Sequence, residues 1–229
     1  RAMIRDAAAV VYCSEAERFD ARAVTLPRGL ELVVEPPVDP SCFAEAPWSL
    51  PEGDPVALYL GRFDVYQKAI DRLVALFGLL PEVRLRAVGE AAPADVGAMA
   101  EIMAGATPHV SFEAPVRGDA KLELFRSATL YVQLSRFEGF PVSVAEALTV
   151  GTPTVVARTL GIASTIRDAG AGLALDADLH RSAAQIRELL TNPQELGRLS
   201  QAGRAFAAER FTIDAVAAKY LDLFARLDA

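Results

Sequence analysis

From residue 55 onward, short apolar runs alternate with segments whose apolar residues recur every three or four positions. "VALYL" (56–60) has the pattern of a buried strand, and "KAIDRLVALFGLL" (68–80) that of an amphipathic helix. "VRLRAV" (83–88), "HVSFEA" (109–114), "TLYVQL" (129–134), "TPTVVA" (152–157) and "GLAL" (172–175) continue the strands. The segments 93–105, 119–128, 141–150 and 161–170 supply the helices between them. Three helical segments, 178–191, 193–210 and 212–228, close the chain. Strand, short loop and helix in repetition predict a doubly wound, Rossmann-like α/β domain, its parallel sheet covered on both faces.

The first fifty residues break this rhythm. "AAVVYCSEAERFDARAV" predicts one strand and one helix, and "LELVVEPPVD" a further strand. Pro36, Pro37, Pro40, Pro47, Pro51 and Pro55 then follow, too dense for helix or strand, as in a linker. Residues 1–37 are therefore expected to be the tail of a preceding domain and its linker, and 38–229 an intact domain. The chain opens mid-pattern without a methionine, as a piece of something longer would.

Composition narrows the classes. With 52% hydrophobic and 23% charged residues, the 229-residue chain suits a globular core. A formal charge of −7 and no basic stripe argue against nucleic acid as a partner. Cys13 and Cys42 are isolated thiols, expected in a reducing cytoplasm, and with His109 and His180 also alone no metal spacing exists.

Candidate chemistry sits where parallel sheets bind ligands, in the loops after the strands. These are "GRFDVYQ" (61–67), "GEAA" (89–92), "PVRG" (115–118) and "SRFEGFP" (135–141). Gly61 permits a sharp turn, and Arg62 and Lys68 place two cations around one loop, suited to a diphosphate or merely solvated. The helix 141–150 opens with Pro141 and ends at Gly151, and Gly139 leaves the approach to its N-terminus clear for an anion. Glu138 precedes that helix and Glu146 lies about one turn into it. As residues alone, the two acids allow hydroxyl binding or simple pairing with the helix dipole. No G-x-G-x-x-G follows a strand, which disfavours a dinucleotide dehydrogenase.

"LYLGRFDVYQKAIDRL", "SRFEGFPVSVAEALTVGTPTVVA" and "VVEPPVDPSCF" together resemble, in order and spacing, the retaining glycosyltransferases of family 4, group 1, which have the two-domain GT-B architecture. The resemblance implies that the chain is the carboxy-terminal donor-binding domain with a remnant of the acceptor-binding one. It implies that Arg62 and Lys68 hold the diphosphate of a nucleotide sugar and stabilise the departing nucleoside diphosphate, so that neither metal nor other cofactor is needed. Glu138 would bind donor-sugar hydroxyls near the reacting carbon and Glu146 the ribose. The amides of Phe140, Val142 and Ser143, around Gly139 and the amide-less Pro141, would meet sugar and phosphate. Gly89 and Val116 would border the base.

An acceptor sugar, lipid or polysaccharide would be held by the other domain, leaving this part inactive alone. The implied setting is cytoplasmic, with the inner face of a membrane as a place for peripheral contact. The sequence departs from the family at "TLGIASTIRD", where Ser164 or Thr165 replaces an expected acid, and at Ala69, where glycine is frequent. A sugar-nucleotide epimerase and a non-catalytic nucleotide-sugar-binding or interaction module share the fold and stand as alternatives.

Overall fold

The computed structural model describes residues 2–43 and 48–228; Pro47 of the proline-rich stretch lies outside them. The chain begins with α1 (Ala2–Asp6), β1 (Ala9–Tyr12), α2 (Glu15–Val24) and β2 (Leu30–Val33), and β1 pairs β2 in parallel. One 3-10 turn, Pro40–Phe43, lies in the proline-rich connection. Six strands follow: β3 (Val56–Leu60), β4 (Arg84–Val88), β5 (Val110–Glu113), β6 (Leu130–Gln133), β7 (Thr154–Ala157) and β8 (Leu173–Leu175). Between them run α3 (Ile70–Gly78), α4 (Val96–Gly105), α5 (Asp119–Ser127), α6 (Val142–Val150) and α7 (Ala163–Asp168). The last three helices are α8 (Leu179–Leu190), α9 (Pro193–Arg210) and α10 (Ile213–Leu227). Each strand and helix from β3 onward falls within the segment that the apolar pattern predicts.

The six strands pair in parallel in the order β5-β4-β3-β6-β7-β8. From β3 the connections step outward to β5, return across the sheet to β6, and step outward again. Between β3 and β6 the loops therefore leave in opposite directions, which opens a crevice at the carboxyl ends of these two strands. This is the doubly wound fold that the strand–helix alternation implies.

Strand alternation divides the core into two layers. Ala57, Tyr59, Leu85, Leu130 and Val132 face α3 and α8, whereas Leu58, Val88 and Tyr131 face α5, α6 and α7. Helix ends follow from local chemistry. Asp178, Asn192 and Thr212 accept hydrogen bonds from the first turns of α8, α9 and α10. Gly151, at φ 93°, closes α6 in a left-handed conformation that only glycine adopts freely.

The amino-terminal segment is tied down by the chain's other end. Glu35, 7% exposed, accepts from Lys219 Nζ at 2.7 Å and from Arg210 Nε at 3.1 Å. Burial pushes its carboxyl up, and the Arg210 and Lys219 bonds outweigh this, so its pKa falls below the ordinary value. Val38 N–H also donates to the Phe211 carbonyl at 2.9 Å. Helix α10 buries Val216 and Leu223 and leaves Ile213, Leu221 and Phe224 exposed. No described helix is long and apolar enough to cross a membrane.

Candidate active site

The loop after β3 forms one wall of the crevice, and other loops hold it in place. Phe63 N–H donates to the Glu90 carbonyl at 2.8 Å, and Phe63 bridges Ala91. Arg136, from the loop after β6, grips Asp71 with two nitrogens at 2.7 and 3.0 Å and reaches the Tyr66 carbonyl at 2.8 Å. A bidentate guanidinium–carboxylate pair of this kind fixes orientation as well as distance. Tyr59 donates its hydroxyl to the Arg62 carbonyl at 2.7 Å, and burial pushes that phenol far up, so it stays a neutral donor. The Arg62 side chain itself is exposed and makes no ion pair among the described residues.

Lys68 is not helical. It ends the loop, and α3 starts only at Ile70, after Ala69 at φ 54°. A buried alanine in this left-handed region carries a strain of about 1–2 kcal/mol, the physical reason that glycine suits the position. The turn aims Lys68 across the crevice, where its Nζ lies 2.6 Å from Glu138 Oε1.

Glu138 is the end of a polar series that runs along β6 in the middle of the sheet. Its Oε1 also accepts from Ser135 Oγ at 2.6 Å and Gln133 Nε2 at 3.2 Å. Gln133 Oε1 lies 2.6 Å from the Tyr131 hydroxyl, which lies 2.7 Å from Ser143 Oγ in the first turn of α6. One phenolic proton serves only one acceptor, so with Tyr131 donating to Gln133 the Ser143 hydroxyl donates to Tyr131. Tyr131, Gln133, Ser135 and Ser143 are thereby oriented, and the Glu138 carboxylate with them.

Beside Glu138, the N-terminus of α6 is open. The amides of Phe140, Val142 and Ser143 donate to no described residue, and a Cβ placed at Gly139 would meet nothing within 4 Å. Pro141 occupies the cap position. Free amides at the positive end of a nine-residue helix attract an anion. The Phe140 ring turns away and packs edge-on against Phe211 at 5.7 Å.

Glu146 lies one turn into α6. It is 8% exposed, and its Oε1 accepts from Lys121 Nζ at 2.6 Å, a contact absent from the sequence reading. Lys121 stands in the first turn of α5, just after the loop that follows β5, and that position was the available signal. Gly61, Arg62, Gly89 and Val116 line one cleft of about 180 Å³ at the ends of β3, β4 and β5. Gly89 is fixed there by backbone packing, because a Cβ would lie 1.9 Å from the Gly61 carbonyl oxygen.

A separate cavity of about 170 Å³ opens beyond β6, β7 and β8, with Arg72, Arg136 and Arg158 around Leu134, Ala157 and Leu175. His109 is structural, its Nε2 2.8 Å from the Phe77 carbonyl. Among the described residues no three His, Cys, Asp or Glu side chains gather as metal ligands would.

The sequence that builds these loops has a counterpart among known families. The sequence model of the glycosyl transferases group 1 matches residues 43–206. The chain belongs to that family. This group 1 family member is 30% identical over 216 residues to D-inositol 3-phosphate glycosyltransferase of Segniliparus rotundus, a match covering 90% of the chain and 46% of that protein. It spans about half the length of the curated relatives it matches.

Sucrose-phosphate synthase (tll1590) from Thermosynechococcus elongatus superposes with a TM-score of 0.83 at 24% identity, over 99% of this chain and 60% of that one. Anabaena Alr3699/HepE, solved in complex with UDP and glucose, gives 0.81 at 18% identity over 97% and 64%. The two likenesses establish the fold, that of the Rossmann-like carboxy-terminal domain of GT-B glycosyltransferases.

Proposed function

We propose that the chain is the donor-binding part of a glycosyltransferase that moves a sugar from a nucleoside-diphosphate sugar to an acceptor with retention of configuration. The observation that carries this reading is Lys68 set against the oriented carboxylate of Glu138 beside the open amides of α6, with Arg62 lining the cleft at the ends of β3, β4 and β5. In this reading Arg62, Lys68 and the amides of Val142 and Ser143 hold the diphosphate. Glu138 and the Phe140 amide, past Gly139 and Pro141, meet the sugar. Gly61, Gly89 and Val116 border the base, and Glu146 binds the ribose. Anabaena HepE, which shares the fold, was solved with UDP and glucose, and that supports a nucleotide in this crevice.

The chemistry asked of these groups is charge stabilisation. As the bond between C1 and the phosphate oxygen breaks, negative charge grows on the leaving diphosphate, where two cations and a helix N-terminus stand ready. No metal is required for that task. The acceptor oxygen bonds to C1 on the face the phosphate leaves, and the acceptor's proton passes to a phosphate oxygen. Glu138 acts by accepting sugar hydroxyls rather than as a nucleophile, its position set by Ser135 and Gln133. Residues outside these 229 hold the acceptor, and this part alone transfers nothing, since transfer needs donor and acceptor held together.

Calorimetric titration of the chain with UDP, GDP and ADP tests the reading. One diphosphate binds, and Arg62→Ala weakens it by about tenfold to a hundredfold, the loss expected for charged hydrogen bonds. Binding by none of the three, or binding that Arg62→Ala leaves unchanged, contradicts it.

A further inference from the structure

We infer that Lys121 is a further binding residue of the nucleotide site that, with Glu146, recognises the two hydroxyls of the ribose. The inference rests on the donor-site reading above and adds to it a residue and a chemical specificity. Glu146 is almost buried, yet the described residues give it one hydrogen bond, from Lys121 to Oε1 at 2.6 Å. Its Oε2 accepts nothing from them. Lys121 Nζ has three N–H donors, and Glu146 is its one hydrogen-bond partner among the described residues. The pair therefore presents an unused acceptor beside unused donors, all within one ion pair whose side chains are 24% and 10% exposed.

A sugar hydroxyl both donates and accepts. A carboxylate alone can only receive from it, so two neighbouring hydroxyls leave their lone pairs unmet. With the ammonium alongside, one hydroxyl donates to Glu146 Oε2 while the other accepts from Lys121 Nζ. The same contact keeps Glu146 from standing as an uncompensated charge when the site is empty. The surroundings reinforce the fit. Asp39 is already engaged by Ser41, whose amide and hydroxyl hold its carboxyl below the ordinary range, so it does not compete for Lys121 by hydrogen bond. Burial pushes the neighbouring Cys42 thiol up to about 11, so no thiolate competes either.

The placement also separates Lys121 from the other lysine of the site. Lys68 pairs with Glu138, whose oxygen has two further donors, and stands at the α6 N-terminus. Lys121 stands at the start of α5 and pairs with a carboxylate one turn down α6. Lys68 and Glu138 thus serve the diphosphate and the donor sugar, and Lys121 and Glu146 the ribose.

The test uses the chain with UDP, its 2′-deoxy and 3′-deoxy forms, and inorganic pyrophosphate, and GDP or ADP with their deoxy forms if UDP is not the nucleotide bound. The variants are Lys121→Met and Lys121→Arg, with a melt of each free protein. Arginine preserves the ion pair, but its planar fork takes both carboxylate oxygens and removes the free acceptor. Wild-type protein is expected to lose about tenfold or more in affinity for a deoxy form, one hydrogen bond to a charged group. In Lys121→Met and in Lys121→Arg that penalty falls to about twofold or less for at least one deoxy form, while pyrophosphate binding is unchanged.

Lys121→Arg melts with the wild type, so the lost discrimination cannot be assigned to unfolding. Unchanged deoxy penalties in Lys121→Arg would overturn the inference and leave the donor site standing. So would a parallel loss of pyrophosphate affinity, which would place Lys121 at the phosphates. Wild-type protein that binds no nucleotide would overturn the donor-site reading, and the inference with it.

Discussion

Gly89→Ala puts a single methyl where the structure has no room for it. The added Cβ would sit 1.9 Å from the Gly61 carbonyl oxygen and 2.9 Å from its carbonyl carbon. Contacts below 3.0 Å are essentially never seen, so the Gly61 carbonyl must retreat by at least about 1.1 Å. Neither backbone is free to move. Gly61 N–H donates to the Val88 carbonyl at 3.1 Å and Gly89 N–H to the Glu113 carbonyl at 2.9 Å, both continuing the sheet ladder. Overpacking of this kind costs about 1–3 kcal/mol. In a chain of this size that lowers the melting temperature by about 2–12 °C.

Arg62 follows the displaced carbonyl directly, and a shift of about an ångström in a positioned charge weakens binding or catalysis by up to about a hundredfold. Thermal melts by circular dichroism and nucleotide titration of the same sample provide the assay. A melting temperature within about 1 °C of wild type, with unaltered nucleotide affinity, would refute the reasoning, because the methyl would then have been absorbed at no cost.

Other perturbations bear on the rest of the structure. The Glu35 carboxyl has its pKa lowered on folding, so its contribution is present above its ordinary value of 4.5 and is lost as pH falls through the lower folded value. Acid titration of the wild type should therefore show an unfolding step below pH 4.5 that is reduced in Glu35→Gln. Glu35→Ala, which frees Arg210 and Lys219, should cost about 1–3 kcal/mol at neutral pH, measured by urea denaturation. Cys42, buried and with its thiol raised to about 11, should resist alkylation at pH 8 until the chain unfolds, whereas half-buried Cys13 reacts first. Mass spectrometry of timed samples shows the order.

The sheet was legible in the sequence because its signal is local: apolar runs of strand length, each followed by a helix-period segment. The crevice was legible because parallel sheets place their ligand loops at the strand ends, so Arg62, Lys68 and Glu138 could be picked out before any contact was known. What could not be read is pairing through space. Lys68 and Glu138 are 70 residues apart, and nothing in either loop says that they touch. Lys121 resembles any surface lysine of a helix until the fold sets it against Glu146. The Glu35 clamp joins positions 175 and 184 residues apart, beyond any periodicity. Gly89 was a candidate from the sequence, but its steric reason, the Gly61 carbonyl, lies in the loop that follows the neighbouring strand.

The central claim is that a nucleoside diphosphate occupies the crevice between β3 and β6. Amide chemical shifts of the isotope-labelled chain, followed through titration with UDP, GDP and ADP, test it most directly. The account predicts that one of the three moves the amides of Gly61, Arg62, Gly89, Val116, Phe140, Val142 and Ser143. Shifts confined to the neighbourhood of Arg72, Arg136 and Arg158, or none with any of the three, would contradict it.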